Sequence, residues 1–270
     1  MSGDKALDEQ YIRARKVLLD ALDALEDHLD AITLVGAQAI YLHTGEAQFA
    51  VAQLTTDADL ALNPKILGSV PVLETALEHA GFERQQDPGM WLSKAMGARV
   101  DLLVPEALAG KGTRSADIPG HGKNVAHRAQ GLEGTLVDRA KHHITAFEES
   151  DPRAFDMYVA GPAALLIAKL YKISERPVGS RRSRPKDSYD TYCLLQLELP
   201  VLRDGFARLR SDVSTREVAE RGISLLAELF GSEAASGSQM AAEAIGPLGS
   251  HDEVVASCAA LAQELLETLS

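Results

Sequence analysis

Three aspartates stand where strand-forming residues surround them. The segment Thr55-Thr56-Asp57-Ala58-Asp59-Leu60-Ala61-Leu62 reads as a strand, whose side chains alternate between two faces. Asp57 and Asp59 therefore project together, while Ala58, Leu60 and Leu62 turn to the opposite, core-facing side. Asp is a poor strand former and like charges on one face repel. The pattern gains little unless a cation lies between the carboxylates. Hard Mg²⁺, which prefers carboxylate and phosphate oxygens, suits them. A third acid stands in Ala98-Arg99-Val100-Asp101-Leu102-Leu103-Val104, with Val100, Leu102 and Val104 on the other face. A lone Asp-X-Asp is ordinarily a solvated strand edge. If the two strands are neighbours, however, three carboxylates meet on one patch. That donor set can hold two metal ions for in-line phosphoryl or nucleotidyl transfer.

Upstream, Leu34-Val35-Gly36-Ala37-Gln38-Ala39 places a glycine at a strand-to-helix turn. Such a turn lets backbone N–H groups at a helix start approach a phosphate. Most glycines of this kind only close a turn, but one placed before Asp57-Ala58-Asp59 makes a triphosphate cradle.

The elements that must position these residues follow from periodicity. Residues 6–29 read as an amphipathic helix through Val17, Leu18, Ala21, Leu22 and Leu25. Ala31–Val35 reads as a buried strand and Ala37–His43 as a helix leaving it, with a loop at 45–53. Residues 69–80 look helical up to Gly81. Strands are expected at 82–86, 90–93 and 98–104, with an Asp87-Pro88-Gly89 turn and an edge strand at 131–137. From Gly161-Pro162 the pattern is helical: to about Arg176, then near 186–198, 200–210, 214–230 and 251–269. A basic loop at 177–185 and a Gly/Ser/Ala linker at 231–239 interrupt it. The fold class is therefore α+β, with a mixed-sheet domain at 1–155 followed by a helical domain at 156–270.

Composition narrows the class. The 270 residues are 46% hydrophobic and 24% charged, which is globular composition with enough chain for a core without disulfides or a structural metal. The longest uncharged apolar run, Val159 to Ala168, falls well short of the roughly 20 residues that span a bilayer. Met1-Ser-Gly-Asp-Lys leads into mixed charge rather than a secretory core, and Cys193 and Cys258 are the only cysteines. A soluble cytoplasmic protein with no membrane partner is expected. A net charge of −12 disfavours general phosphate-backbone binding and leaves a local basic groove open.

On Val35-Gly36-Ala37-Gln38-Ala39, Thr56-Asp57-Ala58-Asp59-Leu60 and Val100-Asp101-Leu102-Leu103, the sequence resembles nucleotidyltransferases of the DNA polymerase β superfamily. Within that superfamily it is most similar to the AbiEii-like branch, the toxin half of type IV toxin–antitoxin systems. The resemblance spans about residues 30–198. It implies that Asp57, Asp59 and Asp101 are catalytic and hold two Mg²⁺ ions, and that the Gly36–Ala37 turn binds the triphosphate of an NTP substrate. It extends to Ala168-Lys169-Leu170-Tyr171-Lys172, Arg176 and Pro185-Lys186-Asp187-Ser188-Tyr189-Asp190, implying nucleotide-binding roles for Lys169, Lys172, Arg176, Lys186, Asp187 and Asp190. Lys169, Lys172 and Arg176 share one helix face by spacing. A cationic face of this kind would neutralise a triphosphate and stabilise leaving pyrophosphate. The same lysines would equally suit a solvated helix face, and Lys186 with Asp190 an i,i+4 surface pair. One departure is Gly36-Ala37 where the superfamily has Gly-Ser or Gly-Gly, which removes a hydroxyl but keeps the backbone donors.

Other residues carry less. His142-His143 and Gly120-His121-Gly122 lack neighbours at ligand spacing, Trp91 suits a core and Cys193 a buried thiol. Arg181, Arg182 and Arg184 form a basic loop that would suit nucleic acid. The expected activity is Mg²⁺-dependent transfer of NMP from NTP to an acceptor hydroxyl. The resemblance implies RNA, especially a tRNA end, as acceptor and a cognate antitoxin as partner. Two alternatives stay open: a small-molecule acceptor of the antibiotic type, and a non-catalytic nucleotide- or partner-binding module.

Overall fold

The structure, a computed structural model, describes residues 2–45, 57–175, 184–246 and 249–270, with the side chains of 2–8 and Arg184 left out. Its packing divides into two units. The first comprises Met1–Ala39, Leu54–Ala129 and Arg139–Ala160, and the second Ile40–Gln53, Gln130–Asp138 and Gly161–Ser270. The helical part thus takes two earlier segments besides the chain that follows residue 160. No described helix is long and apolar enough to cross a membrane.

The first unit is built on one mixed sheet of β1 (Ile32–Val35), β2 (Asp57–Leu62), β3 (Phe82–Arg84), β4 (Met90–Ser93), β5 (Arg99–Pro105), β6 (His127–Ala129), β7 (Arg139–Thr145) and β8 (Ala154–Ala160). The strand order is β3-β4-β5-β2-β1-β8-β7, with β6 paired to the far end of β5. Contacts of β1 with β8 and of β2 with β5 are parallel, and that of β1 with β2 is antiparallel. Alternation gives the sheet one apolar face, on which Ile32, Leu34, Leu60, Leu62, Val100, Leu102 and Val159 are buried. Helix α1 (Ser2–Ala24) packs across β2, β5 and β8 with Val17, Leu18, Ala21 and Leu22 fully buried. Each of the valine and leucine side chains contributes about 1.5–3 kcal/mol. The expected helix through residue 29 stops at Ala24. A 3-10 helix (Glu26–Ala31) follows, in which His28 Nε2 bonds to Pro71 O at 2.8 Å.

Strands β7 and β8 went unrecognised in the sequence. Strand β7 (Arg-Ala-Lys-His-His-Ile-Thr) is an edge strand that buries only Ile144, so it carries no apolar alternation. In β8 the signal exists, because Phe155, Met157 and Val159 alternate with Asp156 and Tyr158. The helix expected at 69–80 is shorter, α3 (Leu73–His79). Trp91 is fully buried and donates Nε1–H to Val125 O at 3.0 Å, which makes it a core residue.

Two histidines of this unit have their pKa values lowered. His121 receives Leu73 N–H at Nδ1 (3.2 Å) and lies 3.0 Å from Gly68 O through Nε2. Burial lowers its pKa below the ordinary 6.5. His127 is lowered as well, by burial and then by Arg114. The unfolded chain therefore takes up these protons first, so stability is full above pH 6.5 and is lost as pH falls through the lowered folded values. The Tm should decline between about pH 7.5 and pH 5.5, and the double variant His121→Gln/His127→Gln should flatten that slope in a melting series.

The second unit is helical. After a 3-10 turn (Glu133–Leu136) come α4 (Pro162–Ser174), α5 (Arg184–Leu195), α6 (Leu199–Ser211), α7 (Arg216–Phe230), α8 (Ser236–Ile245) and α9 (His251–Leu269), with α4 touching α5, α6 and α7. Residues 131–137 are thus a turn and not an edge strand. Thr135 bonds back to Leu132 O, and the Val137 and Asp138 amides both reach Gly134 O. Buried Asp138 then caps α4, accepting Ala164 N–H at 3.2 Å and Arg208 Nη2 at 2.6 Å. The expected linker at 231–239 contains the start of α8. Its glycine is a packing residue, since a Cβ on Gly237 would lie 2.5 Å from the Phe230 ring. Cys193 is buried and its thiol is pushed up to about 12 by burial and then by Asp190.

Candidate functional site

Strands β2 and β5 are neighbours, paired in parallel with Asp57 opposite Arg99, Ala58 opposite Val100 and Asp59 opposite Asp101. Paired residues share a face, so Asp57, Asp59 and Asp101 lie together on the side away from α1. All three are half-buried. The antiparallel pairing of β1 with β2 sets Val35 opposite Asp59, which brings the next residue, Gly36, against that aspartate.

Gly36 opens α2 (Gly36–Thr44) with φ +69°, a left-handed conformation that costs an L side chain about 1–2 kcal/mol. Space is tighter still: a Cβ there would fall 1.9 Å from Asp59 Oδ2. Glycine is therefore required twice, for the turn and for the approach of the carboxylate. The start of α2 also favours negative charge beside it. Ala37 is buried directly after the turn. Gln38 is buried and fixes three segments: its Nε2 donates to Ala14 O (3.2 Å) and to Asp57 O (3.4 Å), and its Oε1 accepts from Arg15 Nε (3.4 Å). It ties helix, turn and acidic strand together, a positioning role that its type and spacing in the sequence do not announce.

Arg99 is the other residue that sequence reasoning passed over. Its Nη2 donates to Asp57 Oδ2 at 2.6 Å and its Nε to Oδ1 at 3.3 Å. The hydrogen bond to Asp57 comes first among the causes that raise its pKa, and the charges of Asp101 and Asp59 add to it. The signal was available, because Arg99 and Asp101 are two apart in one strand and so share a face. Among the described residues, no three His, Cys, Asp or Glu side chains form a ready-made metal cage. Thr55 and Thr56, which open the acidic motif, lie outside the described residues.

The remaining candidates belong to the second unit, where α4 and α5 bring four of them together. Lys169 is 6% exposed, and its Nζ lies 2.6 Å from Asp190 Oδ2 and 3.0 Å from Asp187 Oδ1. Burial alone would lower its pKa, but Asp190 and then Asp187 outweigh that and hold it above the ordinary value. Lys169 is thus not on a solvated face, and Asp190 pairs with it rather than with Lys186. Lys172 is 47% exposed, with Nζ 3.6 Å from Asp187 Oδ1. Lys186 is half-buried in the first turn of α5. Arg176, Arg181 and Arg182 lie outside the described residues, as do most of the basic loop and the loop expected at 45–53, and the Arg184 side chain is not described.

His143 of the sequence's histidine pair lies beside Asp156, with Nδ1 2.8 Å from Oδ1. No curated protein and no solved structure matches the chain. A family model described as a nucleotidyltransferase, however, matches residues 15–207 and so takes in Gly36, the three sheet aspartates and the Lys169 cluster alike. On a match over that much of its length, the chain belongs to this nucleotidyltransferase family.

Proposed function

We propose that the protein moves a nucleoside monophosphate from an NTP to an acceptor hydroxyl and releases pyrophosphate, with RNA, in particular a tRNA end, as acceptor. Its physiological role would be that of an AbiEii-like toxin with a cognate antitoxin. The observation that carries the chemistry is the register setting Asp59 beside both Asp101 and the Gly36 turn. The toxin role and the RNA acceptor rest on the AbiEii-like motifs of the sequence. The net charge of −12 supports a second acceptor class, a cationic small molecule.

The donor set suits Mg²⁺: three carboxylates on one sheet face, all hard oxygen donors, with Asp59 against the Gly36 turn. Asp57, Asp59 and Asp101 would hold it. When bound, it neutralises the triphosphate and polarises the α-phosphorus. The acceptor oxygen attacks that phosphorus, the bond to the bridging oxygen of the β-phosphate breaks, and pyrophosphate leaves with the electron pair. The acceptor's proton passes to the carboxylate of Asp101. The backbone N–H groups of Gly36 and Ala37 would hold the β and γ phosphates. For Lys172 and Lys186 of the second unit, a nucleotide-binding role rests on the AbiEii-like motifs of the sequence alone. Lys169, engaged by Asp187 and Asp190, would act by fixing that helix pair.

The test is transfer from each α-³²P-labelled NTP with Mg²⁺ against total RNA, purified tRNA and an aminoglycoside panel. Label should appear on RNA and vanish in Asp57→Ala/Asp59→Ala. Label on the aminoglycosides instead would replace the acceptor, and NTP binding without transfer would make the chain a binding module. Gly36→Ala should lower transfer about 100-fold, because its Cβ must push the Asp59 carboxylate aside. The melting temperature of that variant should fall by only a few degrees.

A further inference from the structure

The acid patch already contains a cation belonging to the chain. Arg99 lies opposite Asp57 in the strand register and engages both oxygens of that carboxylate, at 2.6 Å and 3.3 Å. Such fork-on-carboxylate pairs are the strongest and most directional of the charge-assisted hydrogen bonds. The pair is only partly exposed, 39% for the Arg99 side chain and 24% for Asp57, so water screens it incompletely. Asp59 and Asp101 draw on the same guanidinium. A divalent ion that needs Asp57 must therefore compete with a charge tethered one strand away.

We infer that Arg99 is an internal counter-cation that keeps Asp57 from free divalent metal until a metal–nucleotide complex displaces it. This rests on the assignment of Asp57, Asp59 and Asp101 as the metal-bearing acids. Arg99 is then a positioning residue whose removal strengthens metal binding, whereas loss of a merely structural residue would weaken it. A metal ion alone would offer Asp57 one attraction in exchange for Arg99. The metal–triphosphate complex adds contacts at the Gly36 turn, so the exchange favours the complex. The site would load metal and nucleotide together.

The experiment measures binding of Mn²⁺, without nucleotide, to the full chain by the electron paramagnetic resonance signal of the free ion. Wild type should bind weakly and Arg99→Gln about tenfold more tightly. Arg99→Lys, which keeps a charge but loses the fork, should fall between them and serves if the glutamine variant does not fold. Adding Asp57→Asn to Arg99→Gln should abolish the gain. Equal or weaker binding in Arg99→Gln, with Asp59→Asn abolishing binding in both backgrounds, would overturn the role of Arg99 and leave the metal site standing. Should Mn²⁺ binding be insensitive to Asp59→Asn and Asp101→Asn with and without NTP, the acid assignment itself would fall.

Discussion

Asp59→Asn should reduce nucleotidyl transfer by at least about a thousandfold while leaving the protein as stable as before or slightly more so. Asp59 pairs in register with Asp101 on one side and Val35 on the other, and its Oδ2 lies where a Gly36 side chain would be. Among the described residues, Asp59 is the acid that joins the carboxylate patch to the turn. Metal-assisted stabilisation is worth several kcal/mol of transition-state energy, and each 1.36 kcal/mol is about a factor of ten. Asparagine keeps the shape and one acceptor oxygen but removes the charge. Two carboxylates directly opposite across strands destabilise the sheet, so removing one should raise the melting temperature by about one or two degrees. Steady-state transfer and thermal melting on the same preparation check both halves. Lost activity with an equal loss of Tm would make Asp59 a structural residue.

Lys169→Met should behave in the opposite way, losing stability first. Its ammonium is the cation between Asp187 and Asp190, whose side chains are 3% and 0% exposed. Breaking a buried pair from one side costs about 3–5 kcal/mol, because charges are left unpaired in a poorly solvated interior. In a chain of this size that is a fall of about 10 °C in Tm. The triple variant Lys169→Met/Asp187→Asn/Asp190→Asn should recover part of it, since none of the three buried charges of the cluster then remains. Were Lys169 only a phosphate contact, Lys169→Met would lose activity at unchanged Tm. Circular dichroism melts separate the two outcomes.

The difference between these aspartates and this lysine also marks what the sequence made legible. A strand has only two faces, so the spacing of Asp57, Asp59 and Asp101 defined their common side once each segment was recognised as a strand. Their neighbourhood needed the parallel pairing of β2 with β5, which no local pattern encodes. A helix face has many directions, and the spacing of Lys169 and Lys172 did not reveal which of them points into the α4–α5 contact. One is buried and the other nearly half exposed. Arg99 was hidden by its type, a basic residue in a strand being an ordinary edge feature, although its alternation with Asp101 was visible. Gln38 was hidden because its partners, two backbone carbonyls and the Arg15 side chain, are 19 to 24 residues away in sequence. The missed strand β7 has no buried stripe, and the misread stretch at 231–239 shows that glycine beside a phenylalanine can mean close helix packing.

The place of β1 in the sheet has a consequence for how the chain is made. One neighbour, β2, follows it closely along the chain, but the other, β8, emerges only after everything from Asn63 to Arg153 has been synthesised. At ordinary translation speeds that interval is on the order of ten seconds. Throughout it the nascent polypeptide presents a bare strand edge in which Ile32 and Leu34, buried in the finished molecule, have nothing on one side to pair with. On the ribosome, the strand that leads into the Gly36 turn is therefore among the segments most in need of a chaperone.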